Sequence, residues 1–229
     1  ELDHVDQLDQ EMFGPILHVV RFKAADLLST IESINAAGYG LTMGLQTRNQ
    51  SRVQAVSELA EVGNLYVNRN QIGAVVGSQP FGGEGLSGTG PKAGGPLYLH
   101  SFVQSASNLP AEQIDLPGPT GELNRYRWMP KQNLWSVGKP GQLAEQARQI
   151  GCQVIEIADW RAVTDWSDCE GVLCESLEDL AAVRQCLASQ NGPLIGLYTH
   201  HNVGQWVRER HVCVDTTAAG GNAELLSQG

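Results

Sequence analysis

The sequence has 229 residues, 41% hydrophobic and 17% charged, an ordinary globular composition with room for one large or two small domains. A net charge of −10 with no basic cluster excludes nucleic acid and anionic membrane surfaces as partners, and no apolar run approaches the length of a bilayer span. The five cysteines (Cys152, Cys169, Cys174, Cys186 and Cys213) all lie in the second half without a C-x-x-C pair, which fits a reducing, cytoplasmic compartment and no metal site. The chain opens Glu1-Leu2-Asp3 without an initiator Met and reads as cut from something longer; no secretory signal is visible.

In chain order, residues 15–22 are rich in β-branched side chains and predict a strand. Asp26 stands where a helix N-cap belongs. Leu27, Leu28, Ile31 and Ile34 follow at helical spacing, and Gly38 closes the helix. Residues 43–47 predict a short strand. Ser51 opens a second helix that carries Val53, Val56, Leu59 and Ala60 on one face, and residues 64–68 predict a third strand. This β-α-β-α-β alternation is the pattern of a parallel sheet covered by helices. Ligands of such sheets lie beyond the carboxyl ends of the strands, the edge at which Arg69 to Pro96 leaves the third strand.

Residues 79–96 hold seven glycines and no apolar period. Glycine weakens helix and strand interiors, and long ordered loops in compact domains are usually functional. A flexible linker is the alternative. Phe81, a large apolar anchor, and the strand-like segments on either side argue against it.

Residues 97–103 then predict a strand apolar on both faces. Pro110, Pro117, Pro119 and Pro130, with Gly118 and Gly121, punctuate residues 104–130 and predict an ordered linker. The second half alternates again. Strands are expected at 133–137, 153–157, 171–175, 193–198 and 211–215, with helices at 141–150 and 177–187, a Rossmann-like pattern. Its first turn, Gly138-Lys139-Pro140-Gly141, lacks the G-x-G-x-x-G spacing. Pro140 also removes an amide that could cradle phosphate, so no dinucleotide is expected there. The tail 215–229 is rich in small residues, and Leu225 and Leu226 give it something to dock with.

Glu11 and Phe13 lie two residues apart before the first predicted strand, and in an extended segment such a pair points the same way. A carboxylate beside an aromatic ring suits a nucleotide's ribose and base. It equally describes a surface Glu next to a core Phe.

Glu11-Met12-Phe13-Gly14-Pro15 resembles the E-x-F-G-P motif of aldehyde dehydrogenases, and Pro80-Phe81-Gly82-Gly83 with Ser87-Gly88 resembles the P-F-G-G…S-G loop of that superfamily. Residues 63–77, 91–99, 118–124 and 216–222 look like the longer members of one branch, the bifunctional proline-catabolic flavoproteins of the proline utilization A family. The resemblance covers essentially the whole chain. It implies an α/β fold: the C-terminal part of an aldehyde dehydrogenase catalytic domain at 1–105, a linker at 106–125 and a Rossmann-like domain at 126–229.

The same resemblance implies a parent that oxidises proline with FAD and then glutamate semialdehyde to glutamate with NAD. Glu11 would hold the nicotinamide ribose, and Phe13 would lie against the nicotinamide. Gly73 and Ala74 would anchor the substrate carboxylate through backbone N–H groups, and Phe81 would pack the aliphatic part of the aldehyde. The family's nucleophilic Cys, general base and NAD-binding segment precede the E-x-F-G-P motif, and no Cys precedes Glu11 here. Three expectations follow: an inactive fragment, dependence on upstream domains of the same polypeptide, and assembly as a homo-oligomer. An alternative role is a non-catalytic lid or oligomerisation module covering the dehydrogenase site.

Overall fold

The computed structural model describes residues 1–138 and 141–217. In chain order the elements are α1 (Leu27–Ala36), β1 (Tyr39–Gly40), β2 (Thr42–Leu45), α2 (Gln50–Leu59), β3 (Asn64–Val67), β4 (Glu84–Gly85), β5 (Gln113–Leu116) and β6 (Glu122–Pro130). Then come β7 (Leu134–Val137), α3 (Gln142–Gln149), β8 (Val154–Ile157), β9 (Gly171–Leu173), α4 (Leu177–Ala188), β10 (Gly196–Tyr198) and β11 (Val207–Asp215). Asp26 is the N-cap of α1, as its position in the sequence suggests. The second helix starts one residue earlier than expected, because the Asn49 side chain accepts from the Arg52 N–H and caps it.

Two sheets result. Strands β10-β9-β7-β8 form a parallel sheet within the second half. Strands β2-β3-β11-β6-β5 form the other and join the two halves. β11 lies parallel to β3 on one side and antiparallel to β6 on the other, so His211 faces Asn64 and Tyr126, and Val214 faces Val67 and Leu123. β11 is therefore a central strand. The core beneath it takes Ile31, Val53, Val56, Leu65 and Val67 from early in the chain and Leu123 and Val214 from late. Residue 126, the expected start of the second domain, lies inside β6.

Three expectations are corrected. Residues 15–22 are not a strand; they make one bridge, Val20 to Leu2, and leave Ile16, Leu17, Val19 and Phe22 exposed. β-Branched residues favour extended backbone, but a strand also needs a neighbour to take its hydrogen bonds. Residues 97–103 form a 3₁₀ helix over Tyr98–Phe102, started by the Tyr98 N–H donating to the Gly95 carbonyl. Only Leu97 of this stretch is fully buried. The proline- and glycine-punctuated segment 104–130 is mostly the hairpin β5–β6, whose turn the prolines and glycines make.

Candidate functional site

The glycine-rich stretch 79–96 is an ordered loop pinned by buried polar side chains. Its two limbs are bridged at Phe81 and Ala93, whose backbones exchange hydrogen bonds of 3.1 and 2.8 Å. Between them Lys92 is buried at 2% exposure. Its ammonium donates to the Gly82 carbonyl (2.6 Å) and to Asn64 Oδ1 (2.8 Å), while Asn64 Nδ2 donates to the Pro80 carbonyl (2.9 Å). The Lys92 backbone N–H donates to Glu209 Oε2 (2.8 Å), and the Tyr126 hydroxyl donates to Glu209 Oε1 (2.8 Å). Arg210 grips Glu84 in the same loop through two bonds of 2.7 and 3.0 Å. Thus β3, β6 and β11 all reach into the loop.

These charges are costly to hold. Burial pulls Lys92 down to about 8, against partial support from Glu209 and Glu84. Burial also raises the Glu209 carboxyl, opposed by the Lys92 N–H and Tyr126 bonds, and burial raises the Tyr126 phenol. Lys92 and Glu209 do not pair through their charged ends: the ammonium is solvated by neutral oxygens and the carboxylate by neutral donors. His211, fully buried alongside, is pushed down to about 3 chiefly by burial, with Lys92 adding repulsion, and is neutral.

A second cluster closes the loop 69–79. Asn68, at the end of β3, has φ +59 and turns the chain out of the sheet, and its Oδ1 accepts from the Thr47 N–H at 2.9 Å. Arg69 pairs with Glu122 and donates to Cys213 Sγ at 3.0 Å. Gln79 donates to Glu122 Oε1 (3.1 Å) and accepts from the Val75 N–H (3.3 Å). Both ends of the loop therefore meet at one carboxylate on β6.

The sequence-selected residues fall into two groups. Gly73, Ala74 and Phe81 sit in the two loops that leave the end of β3 and return. Gly73 has φ +75, which a side chain would disfavour, and a Cβ there would meet nothing within 4 Å. Phe81 is half-buried at the base of the glycine-rich loop. Glu11 and Phe13 lie apart, on an irregular exposed segment tied down by one bond, from the Glu11 N–H to the Tyr39 hydroxyl (3.3 Å). Phe13 is 90% exposed. Lys92, Asn64, Gln79 and Glu209 were not among the sequence candidates. Only Asn64 adjoins a glycine, and nothing local in the sequence marks the other three.

Comparison with known proteins decides the family. Residues 3–107 match the aldehyde dehydrogenase family model. Over its whole length the chain is 33% identical to bifunctional protein PutA of Escherichia coli strain K12, spanning 24% of that protein. Over 43% of the chain it is 45% identical to 1-pyrroline-5-carboxylate dehydrogenase of Bacillus subtilis strain 168, covering 19% of it. Residues 3–107, the first half of the chain, belong to the aldehyde dehydrogenase family. The solved structure of proline utilization A from Corynebacterium freiburgense shares its fold, with a TM-score of 0.65 at 23% identity over 83% of this chain and 24% of that one.

A cleft of about 1110 Å³ lies between the glycine-rich loop and the second half, with Glu84, Lys131, Glu170, Tyr198 and Arg208 among its walls. None of the sequence-selected residues lines it. The five cysteines are unpaired thiols. Burial pushes Cys152 and Cys213 up to about 11 and Cys169 up to about 12, and raises Cys174 as well. These four are protonated at neutral pH and poor nucleophiles. Among the described residues no three His, Cys, Asp or Glu side chains form a metal-binding group, and no helix is long and apolar enough to cross a membrane.

Proposed function

We propose that this chain supplies the substrate-facing loops of an NAD-dependent glutamate semialdehyde dehydrogenase within a longer, bifunctional proline-catabolic enzyme of the cytoplasm. In that enzyme FAD serves a separate proline-oxidising domain. The observation that carries the reading is the pair of ordered loops, 69–79 and 79–96, which leave the carboxyl end of β3 with the family's motif residues Gly73, Ala74 and Phe81 on them. The backbone N–H groups at Gly73 and Ala74 bind the substrate carboxylate, and Phe81 covers its methylenes.

Glu11 and Phe13 would hold NAD, which would supply the hydride acceptor. The free carboxylate of Glu11 and the open ring of Phe13 are accessible to a ribose and a nicotinamide, which fits that cofactor. The family's thiol and base precede the E-x-F-G-P motif, so both come from upstream and the isolated chain is inactive. The partners are glutamate semialdehyde, the upstream domains and further copies of the enzyme.

The test is NADH formation from glutamate semialdehyde and NAD, measured on this chain and on a version extended upstream through the reactive Cys. Turnover only in the extended form is expected. Turnover by the 229 residues alone would refute the inactive-fragment reading.

A second reading, a lid or assembly module, is favoured by one observation. β11 carries the second half into the first half's sheet and returns the chain to Gly121, whose carbonyl accepts from the Thr216 N–H at 2.8 Å. The tail expected to dock, from residue 218 onward, lies outside the described residues. Deleting 215–229 from the longer enzyme should lower dehydrogenase activity if this reading holds.

A further inference from the structure

We infer that Lys92 is a positioning residue for the aldehyde side of the site: its buried ammonium ties the Gly82 carbonyl to Asn64 of β3 and so sets where Phe81 stands. This deepens the proposed dehydrogenase function and rests on it for the role of Phe81. The two acceptors lie on different pieces of chain. Gly82 follows Phe81 directly, and Asn64 is a β3 residue 0% exposed to solvent. Asn64 binds the loop with both ends of its amide: Nδ2 donates to the Pro80 carbonyl, and Oδ1 accepts from the Gly82 N–H at 3.3 Å and from the ammonium. Phe81 is thus flanked on both sides by residues fastened to one amide, and its own backbone is bridged to Ala93, the neighbour of Lys92.

The clamp fills the space between β3 and the loop. A Cβ on Gly63 would come within 1.7 Å of the Gly82 oxygen and 2.8 Å of Nζ, so no other side chain has space between β3 and the loop there. Substrate would meet Phe81 and not Lys92, which makes the lysine's action indirect. Its influence is on how well the aliphatic part of the aldehyde is held, and so on KM more than on kcat.

The ammonium loses its charge near pH 8, within reach of assay conditions. The charged and titratable groups around it are Glu209, Arg210 and His211 on β11, Glu84 on β4 and Tyr126 on β6. Tyr126 and His211 stay neutral through the window. Loss of the lysine proton weakens the bonds to Gly82 and Asn64 as pH rises, and an arginine at this position would not lose its charge.

Two measurements test this. In the 229-residue chain, amide hydrogen exchange is compared between wild type and Lys92→Met. The Phe81 and Ala93 amides are expected to exchange at least tenfold faster in the variant, with β7 and β9 amides unchanged. Equal protection at Phe81 and Ala93 would overturn the inference; loss of protection at β7 as well would mean general unfolding, and Lys92→Gln then takes the place of the methionine.

In the longer enzyme, Lys92→Met is expected to raise the aldehyde KM about tenfold with kcat within about twofold. The wild-type KM should rise above pH 8, and the Lys92→Arg profile should stay flat relative to it. Phe81→Ala serves as the separate check on the functional reading. If Phe81→Ala leaves KM unchanged, the proposed role of Phe81 fails whatever Lys92 does. If Phe81→Ala raises KM and Lys92→Met does not, the positioning role of Lys92 is wrong.

Discussion

Residues 11–22 and 79–96 carry equally recognisable family motifs, yet they stand in opposite physical states. The glycine-rich stretch should be the floppier by composition, but it is held by Lys92, Asn64, Gln79, Glu84 and Glu209, all tied to strands of the sheet. The stretch around Glu11 and Phe13 is the better strand former by composition, but it leaves Phe13, Ile16, Leu17 and Phe22 to solvent. Order therefore follows contacts present in the chain rather than local propensity. The glycine-rich loop finds its contacts within these residues; on the proposed function, the stretch 11–22 needs surface from elsewhere in the longer enzyme.

The most severe way to break this contrast is at Gly63. A methyl group there would overlap the Gly82 carbonyl, and backbone cannot move aside cheaply. Gly63→Ala should destabilise the first half by more than about 3 kcal/mol, read from urea unfolding. Next comes Glu209→Ala, which strips partners from the Lys92 N–H and the buried Tyr126 hydroxyl. A loss of about 2–4 kcal/mol is expected, most of it restored by Glu209→Gln, which keeps an acceptor.

A smaller effect concerns pH. Because the folded lysine sits near 8 and an unfolded one near 10.5, the unfolded chain binds more protons between those values. Lys92 therefore makes stability rise with pH in that window and contributes its full penalty below it. The difference in unfolding free energy between wild type and Lys92→Met, followed from pH 7 to 10.5, should move in the wild type's favour as pH rises. The smallest effect belongs to the other region: Phe13→Ala should change the stability of this chain by less than about 0.5 kcal/mol, since its ring is almost wholly exposed. A large loss there would mean that 11–22 is packed after all.

Much of the fold was legible in the sequence because period and caps are local. Leu27, Ile31 and Ile34 mark α1 with Asp26 before it, and the short apolar runs at β3, β7 and β9 announce buried parallel strands. The position of β11 was not legible. His211 to Asp215 reads as one more strand of the second half, and only tertiary pairing places it between β3 and β6. The hairpin β5–β6 was hidden by its prolines, which mark a turn as readily as a linker.

Of the candidate site, the loops that bear Gly73, Ala74 and Phe81 were legible through their motifs, and the roles of these residues belong to the proposed function. The polar clamps on the loops were illegible, since nothing local joins Lys92 to Glu209 or Gln79 to Glu122.

The most direct test of the account is amide hydrogen exchange on this chain and on the same chain extended upstream, read over 11–22 and 79–96. The account predicts slow exchange of the loop amides of Phe81, Lys92 and Ala93 in both. It predicts fast exchange over 11–22 in this chain and slow exchange there once the upstream segment is joined. Protection over 11–22 in the 229 residues alone, or an unprotected loop at Phe81 and Ala93, would contradict it.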